Sequence, residues 1–155
     1  MNNIVKRVLA LVLSAVTLFA LCACSTKTEI TAETFEAKAR EKGLTVAATV
    51  SDKPANATDV TVVGIVEDNA FVWQVDFYKY PTAEEARATY ELVKAEFEAG
   101  SGTSSYAEIN GQATYEKNGS GRFMYVCQVG STLVYANIPE QYKSAAKDFI
   151  SAIGY

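Results

Sequence analysis

Three groups of side chains in this sequence have types and spacings that could do chemistry. Gln74, Asp76, Tyr78 and Tyr80 recur at every second position, the spacing that sets side chains on one face of a β-strand. Tyrosine offers a flat apolar body with a polar tip, which suits contact with a glycan, a peptide or a protein partner. The same residues also serve sheet stability through cross-strand pairing. A second group is acidic: Glu67 and Asp68, Asp76, Glu108 and Glu116 would divide acid and base roles if the fold brought two of them together. Nothing in their spacing requires this, and acids on turns and edge strands of an acidic chain are ordinarily solvated. The third is Cys127, set in the apolar run Arg122-Phe-Met-Tyr-Val-Cys-Gln-Val129. A nucleophilic thiol needs a base and an exposed electropositive setting, whereas a free cysteine in such a run packs as a small hydrophobe.

The chain has no histidine, so every mechanism that uses imidazole as base, proton shuttle or metal ligand is excluded. No acidic loop of the EF-hand type is present. The Gly/Ser segment 100–105 lacks the glycine spacing and the Lys-Ser/Thr pair of a phosphate-binding loop. No metal and no other cofactor is implied. The expectation is a non-catalytic binding module, with an accessory or scaffold subunit of an envelope complex as the alternative and a carboxylate-based hydrolase behind both.

Where such a module works is written at the amino terminus. Lys6 and Arg7 precede an apolar run from Val8 to Leu21, too short to span a bilayer, which needs about 20 residues. The run ends in Leu21-Cys-Ala-Cys-Ser25. This resembles the lipobox of bacterial lipoproteins: Leu21 stands three places before Cys24, and small Ala23 stands immediately before it. Cys22 does not fit, because large Leu21 would precede the cut. The resemblance covers residues 1–25 only, and Cys22 is an unusual occupant of the middle lipobox position. It implies cleavage between Ala23 and Cys24, a diacylglycerol on the Cys24 sulfur, and a chain held on the outer face of the cell membrane, since two or three acyl chains anchor stably where one does not. The remainder is similar in general character to small lipoproteins of Gram-positive bacteria, with no motif specific to one family.

Whole, the chain carries 14 basic and 18 acidic residues, a net charge of −4. Without Lys6 and Arg7 the balance is −6. A nucleic-acid partner would call for the opposite sign or a basic stripe. Anionic lipid repels such a domain, so the acyl anchor and not a basic patch must supply the membrane contact.

The elements that would position these groups follow from periodicity. Residues 24–30 form a short tether after the signal peptide 1–23, and 31–155 read as one α+β domain. Thr31 caps a helix carrying Phe35 and Ala39, which Gly43 stops. Strands are expected at 44–50, 60–66 and 70–80, the last with Phe71, Trp73, Val75 and Phe77 on a core face and Gln74, Asp76, Tyr78 and Tyr80 on the opposite one. Thr82 and Glu85 open a capped helix whose stripe is Ala86, Tyr90, Val93 and Phe97. Strands at 106–117, 122–129 and 132–138 and a helix after Pro139 complete the order α-βββ-α-βββ-α. The architecture expected is a largely antiparallel sheet with helices packed on one face.

Overall fold

The computed structural model describes residues 27–47 and 54–155; Ala23, Cys24 and the rest of the leader lie outside the described residues, as do residues 48–50 of the first expected strand. The chain folds as α1 (Ala32–Glu41), β1 (Thr45–Val46), β2 (Asp59–Glu67), β3 (Ala70–Lys79), α2 (Ala83–Glu98), β4 (Thr103–Ile109), β5 (Gln112–Gly119), β6 (Arg122–Val129), β7 (Thr132–Pro139), a 3₁₀ turn (Glu140–Tyr142) and α3 (Lys143–Ala152). The seven strands form one sheet in the order β1-β2-β3-β7-β6-β5-β4. All neighbours run antiparallel. This is the α+β fold the periodicity predicts. Among the described residues, no helix is long and apolar enough to cross a membrane.

The helix caps form as the sequence implies. Thr31 Oγ1 accepts from the Thr34 N–H and Thr82 Oγ1 from the Glu85 N–H, at 3.3 and 3.2 Å, each satisfying one of the orphan donors of a first turn. One expected strand turns out to be two. The segment 106–117 is broken by Asn110-Gly111, both at positive φ (52° and 75°), the signature of a type I′ turn that closes a two-residue hairpin. It makes β4 and β5, with Ile109 opposite Gln112.

The helices do not share a face. Phe35 and Ala39 of α1 and Ala146, Phe149 and Ile150 of α3 pack with Val63, Trp73, Val75, Phe77, Phe123 and Val134 on a first face. Ala86, Tyr90 and Phe97 of α2 pack with Tyr80, Tyr115, Val126 and Leu133 on the second. Geometry explains the difference. The central strands carry apolar side chains on both sides, in β7 Val134 and Ile138 on one and Leu133 on the other, so each side needs cover.

One buried polar side chain fixes the second face. Lys117 of β5 is buried, and its Nζ donates to the carbonyl of Phe97 at 2.6 Å and also to that of Gly100. The last turn of α2 has no basic residue of its own. Lys117 therefore satisfies its orphan carbonyls from across the sheet, where a cation also complements the helix dipole.

Candidate functional site

Asp76 sits near the middle of β3, opposite Val62 of β2 on one side and Tyr135 of β7 on the other. It is 6% exposed. Because residues two apart on a strand share a face, its neighbours in chain and space are the same: Gln74 Nε2 donates to Oδ1 at 2.9 Å, and Tyr78 Oη donates to Oδ2 at 2.8 Å. Burial pushes the Asp76 carboxyl above its ordinary range, against the opposing pull of the Tyr78 and Gln74 hydrogen bonds. Tyr78 is raised as well, first by its own burial and then by the charge and hydrogen bond of Asp76. Tyr135 is raised by burial, with Asn137 opposing. No cation forms an ion pair with Asp76 among the described residues.

The structure therefore brings together three of the four residues expected on the binding face and separates the fourth. Gln74, Asp76 and Tyr78 form one hydrogen-bonded unit, with Gln74 and Tyr78 half-buried. Tyr80 is 1% exposed and belongs to the core with α2. It sits where the chain turns from β3 into α2, so the helix that follows covers its ring. Tyr135 takes its place beside the unit and comes from a strand more than 50 residues further along the sequence. α2 makes its main contacts with β6 and β7, and the Asp76 unit lies on the β2–β3 side of that face.

The other carboxylates do not converge. Glu67 and Asp68 are exposed at the β2–β3 turn. Glu108, on edge strand β4, accepts from both guanidinium nitrogens of Arg87 at 3.0 and 3.1 Å. This pair and a Tyr106 hydrogen bond hold its carboxyl below the usual range. Glu116 projects on the opposite face, where Lys147 at 2.8 Å and Lys143 at 3.6 Å pair with it. An acid–base pair needs two carboxyls flanking one bond, and no such placement occurs among these residues. Nor is there, among the described residues, a group of three or more His, Cys, Asp or Glu able to hold a metal ion. Cys127 is fully buried, with Thr114 Oγ1 at 3.3 Å and Lys27 Nζ at 3.4 Å from its sulfur.

A second polar cluster was not legible from spacing. Glu29 accepts from the backbone N–H of Ser131 at 2.8 Å and from its hydroxyl at 3.0 Å, and pairs with Lys79. Burial is the largest single effect and raises the Glu29 carboxyl, but the bonds from Lys79 and Ser131 together outweigh it, leaving the group below its ordinary value. The clasp borders a cleft of about 270 Å³ lined by Glu29, Ile30, Thr31, Ala32, Glu33, Asp59 and Lys79. It joins residues 50 and 102 positions apart, so no local pattern announces it.

No protein-family model, no curated protein and no solved structure matches this chain.

Proposed function

We propose that this chain is a lipid-anchored extracytoplasmic binding module whose ligand contact centres on Asp76. Lipidation rests on Leu21, Ala23 and Cys24 in lipobox order behind a cationic start and a short apolar run. The observation that carries the binding reading is a carboxylate, 6% exposed, held by two neutral donors and no cation. A buried charge left without a counterion costs several kcal/mol, and a ligand that brings a cation to it recovers part of that cost. Tyr78 and Tyr135 supply aromatic surface beside it, as cation recognition favours. The ligand class is a cationic peptide side chain or an amino sugar of a glycan. An accessory-subunit role is the second reading, favoured by β4, which is exposed along its whole length at the edge of the sheet.

Two measurements test the two halves. Radiolabelled palmitate should enter the wild-type protein and not Cys24→Ala, which should shift to the soluble or precursor pool; equal labelling of both ends the lipidation reading. For the site, the chain from Ser25 onward, which contains every described element, is used to capture ligands from envelope extract beside Asp76→Asn. A glycan or peptide retained by the first and lost by the second, at unchanged fold, supports the reading. Equal retention by both removes Asp76 from it.

A further inference from the structure

We infer that the domain stands on the bilayer in one orientation, strands upright, with the β4–β5 hairpin tip and its exposed Ile109 pressed against the lipid headgroups. The inference rests on the lipid-anchor reading and adds to it a surface and an orientation.

From Lys27 onward the tether is held to the sheet. Lys27 donates its backbone N–H to Gln112 Oε1 at 2.8 Å, and Gln112 Nε2 donates back to the Lys27 carbonyl. The side-chain amide thus grips both polar groups of one peptide residue, as a neighbouring strand would. Lys27 Nζ reaches Thr114 Oγ1 at 3.1 Å. Two residues on, Glu29 is clasped by Ser131 and Lys79, and Ile30 packs against the first core. Chain 27–31 is therefore fixed across one end of the sheet, where β5 begins, β6 turns into β7 and β3 ends.

Only Ser25 and Thr26 separate Lys27 from Cys24. Three residues span at most about 10–11 Å, so an acyl chain on Cys24 enters the bilayer within that distance of the clamped residue. A freely jointed tether would let the domain tumble; this one holds the end of the sheet that carries Gln112 toward the membrane. Gln112 lies opposite Ile109 across the two-residue turn. Ile109 is 53% exposed, and residues 109–112 are Ile-Asn-Gly-Gln, without a charge. In a domain of net charge −6, an uncharged tip with an apolar side chain is the surface that anionic headgroups repel least. The β2–β3 and β5–β6 turns, at Asp68-Asn69 and Ser120-Gly121, lie at the opposite end and face away.

The test separates orientation from processing. The chain 24–155 carries one thiol beside the buried Cys127, so a maleimide phospholipid couples at Cys24 whether or not the cell lipidates it. On phosphatidylcholine vesicles, amide hydrogen exchange at 109–112 should slow by about threefold or more relative to the uncoupled chain, with 68–69 and 120–121 unchanged. Gln112→Ala should abolish that difference while the protein stays vesicle-bound and its thermal midpoint shows the fold intact. Ile109→Glu, at a half-exposed position outside both cores, should abolish it too. Slowing at the distal turns, slowing spread along β4 as copies pairing edge to edge would give, or no change anywhere overturns the orientation. Absence of lipid on Cys24 in cells, with the coupled protein still oriented, would count against the anchor reading alone.

Discussion

The two faces of the sheet are built from different aromatic chemistry. Under α1 and α3 the buried rings are Phe35, Phe77, Phe123, Phe149 and Trp73 with Tyr125 and Tyr155, and Phe35 stacks on Phe77 at 5.1 Å while meeting Phe149 edge-on at 5.2 Å. Under α2 and beside it the rings are Tyr80, Tyr90 and Tyr115 with one Phe, Phe97, and the half-buried Tyr78 and Tyr135. The rings without hydroxyls that dominate the first face are sealed at no polar cost, and its Tyr155 finds a partner in Thr132. A tyrosine face keeps hydroxyls that want partners, and it is the face that holds the buried Asp76 and Lys117. The first face is core under α1 and α3, with Glu116 and its two lysines on its β5 side; the second is core under α2 and polar along β3, where the proposed ligand contact lies.

The contrast is sharpest along β3, where adjacent residues point to opposite faces. Phe77→Ala should cost about 3–5 kcal/mol in chemical denaturation, the range for emptying a well-packed aromatic site. Tyr78→Ala, one residue on, should cost about 1–2 kcal/mol, because its ring is only half-buried and the cavity opens to solvent. Equal losses would mean that both faces are sealed alike. Next in size is Lys117→Met, which keeps the apolar stem but leaves the carbonyls of Phe97 and Gly100 without their donor. A loss of about 1–3 kcal/mol is expected, and hydrogen exchange in the last turn of α2 should quicken before that of α1.

Local pattern made much of this legible. The caps at Thr31 and Thr82, the stripe Ala86–Tyr90–Phe97 and the alternation of β3 all depend on residues a few positions apart, and all appear in the fold. Asn110-Gly111 was an equally local signal, and it marks the hairpin that a single strand over 106–117 passes over. What spacing could not show is how many layers cover the sheet. Gln74, Asp76, Tyr78 and Tyr80 have the types of a solvated face, yet α2 packs over part of it and buries Tyr80. Asp76 tolerates burial because its partners are its own i±2 neighbours. The Lys27–Gln112 clamp, the Glu29 clasp and the Lys117 cap join distant segments and leave no trace in periodicity.

The smallest effects distinguish two carboxylates, buried Asp76 and exposed Glu29, by sign. Asp76 has its folded-state pKa raised above 3.8 by burial, so the folded protein holds that proton more tightly than the unfolded chain. Its contribution to stability falls as pH rises from 3.8 through the folded value, and the full penalty is present above that value. Asp76→Asn should therefore raise the thermal midpoint at pH 7 and change it little in strong acid. Glu29 has its folded-state pKa lowered below 4.5 by Lys79 and Ser131, against a burial effect that raises it. Its contribution is complete above 4.5 and disappears as pH falls through the lowered value. Glu29→Gln should lower the midpoint at pH 7 and converge with wild type in acid. The Glu29–Lys79 pair is more than a third exposed, so water screens it and about 0.5 kcal/mol is the expected scale. Differences from wild type at pH 7 should thus be opposite in sign for the two variants and should both fade on acidification. Two shifts of the same sign at pH 7 would mean that Asp76 is stabilised by its surroundings as Glu29 is, and would remove the uncompensated charge on which the proposed binding site depends.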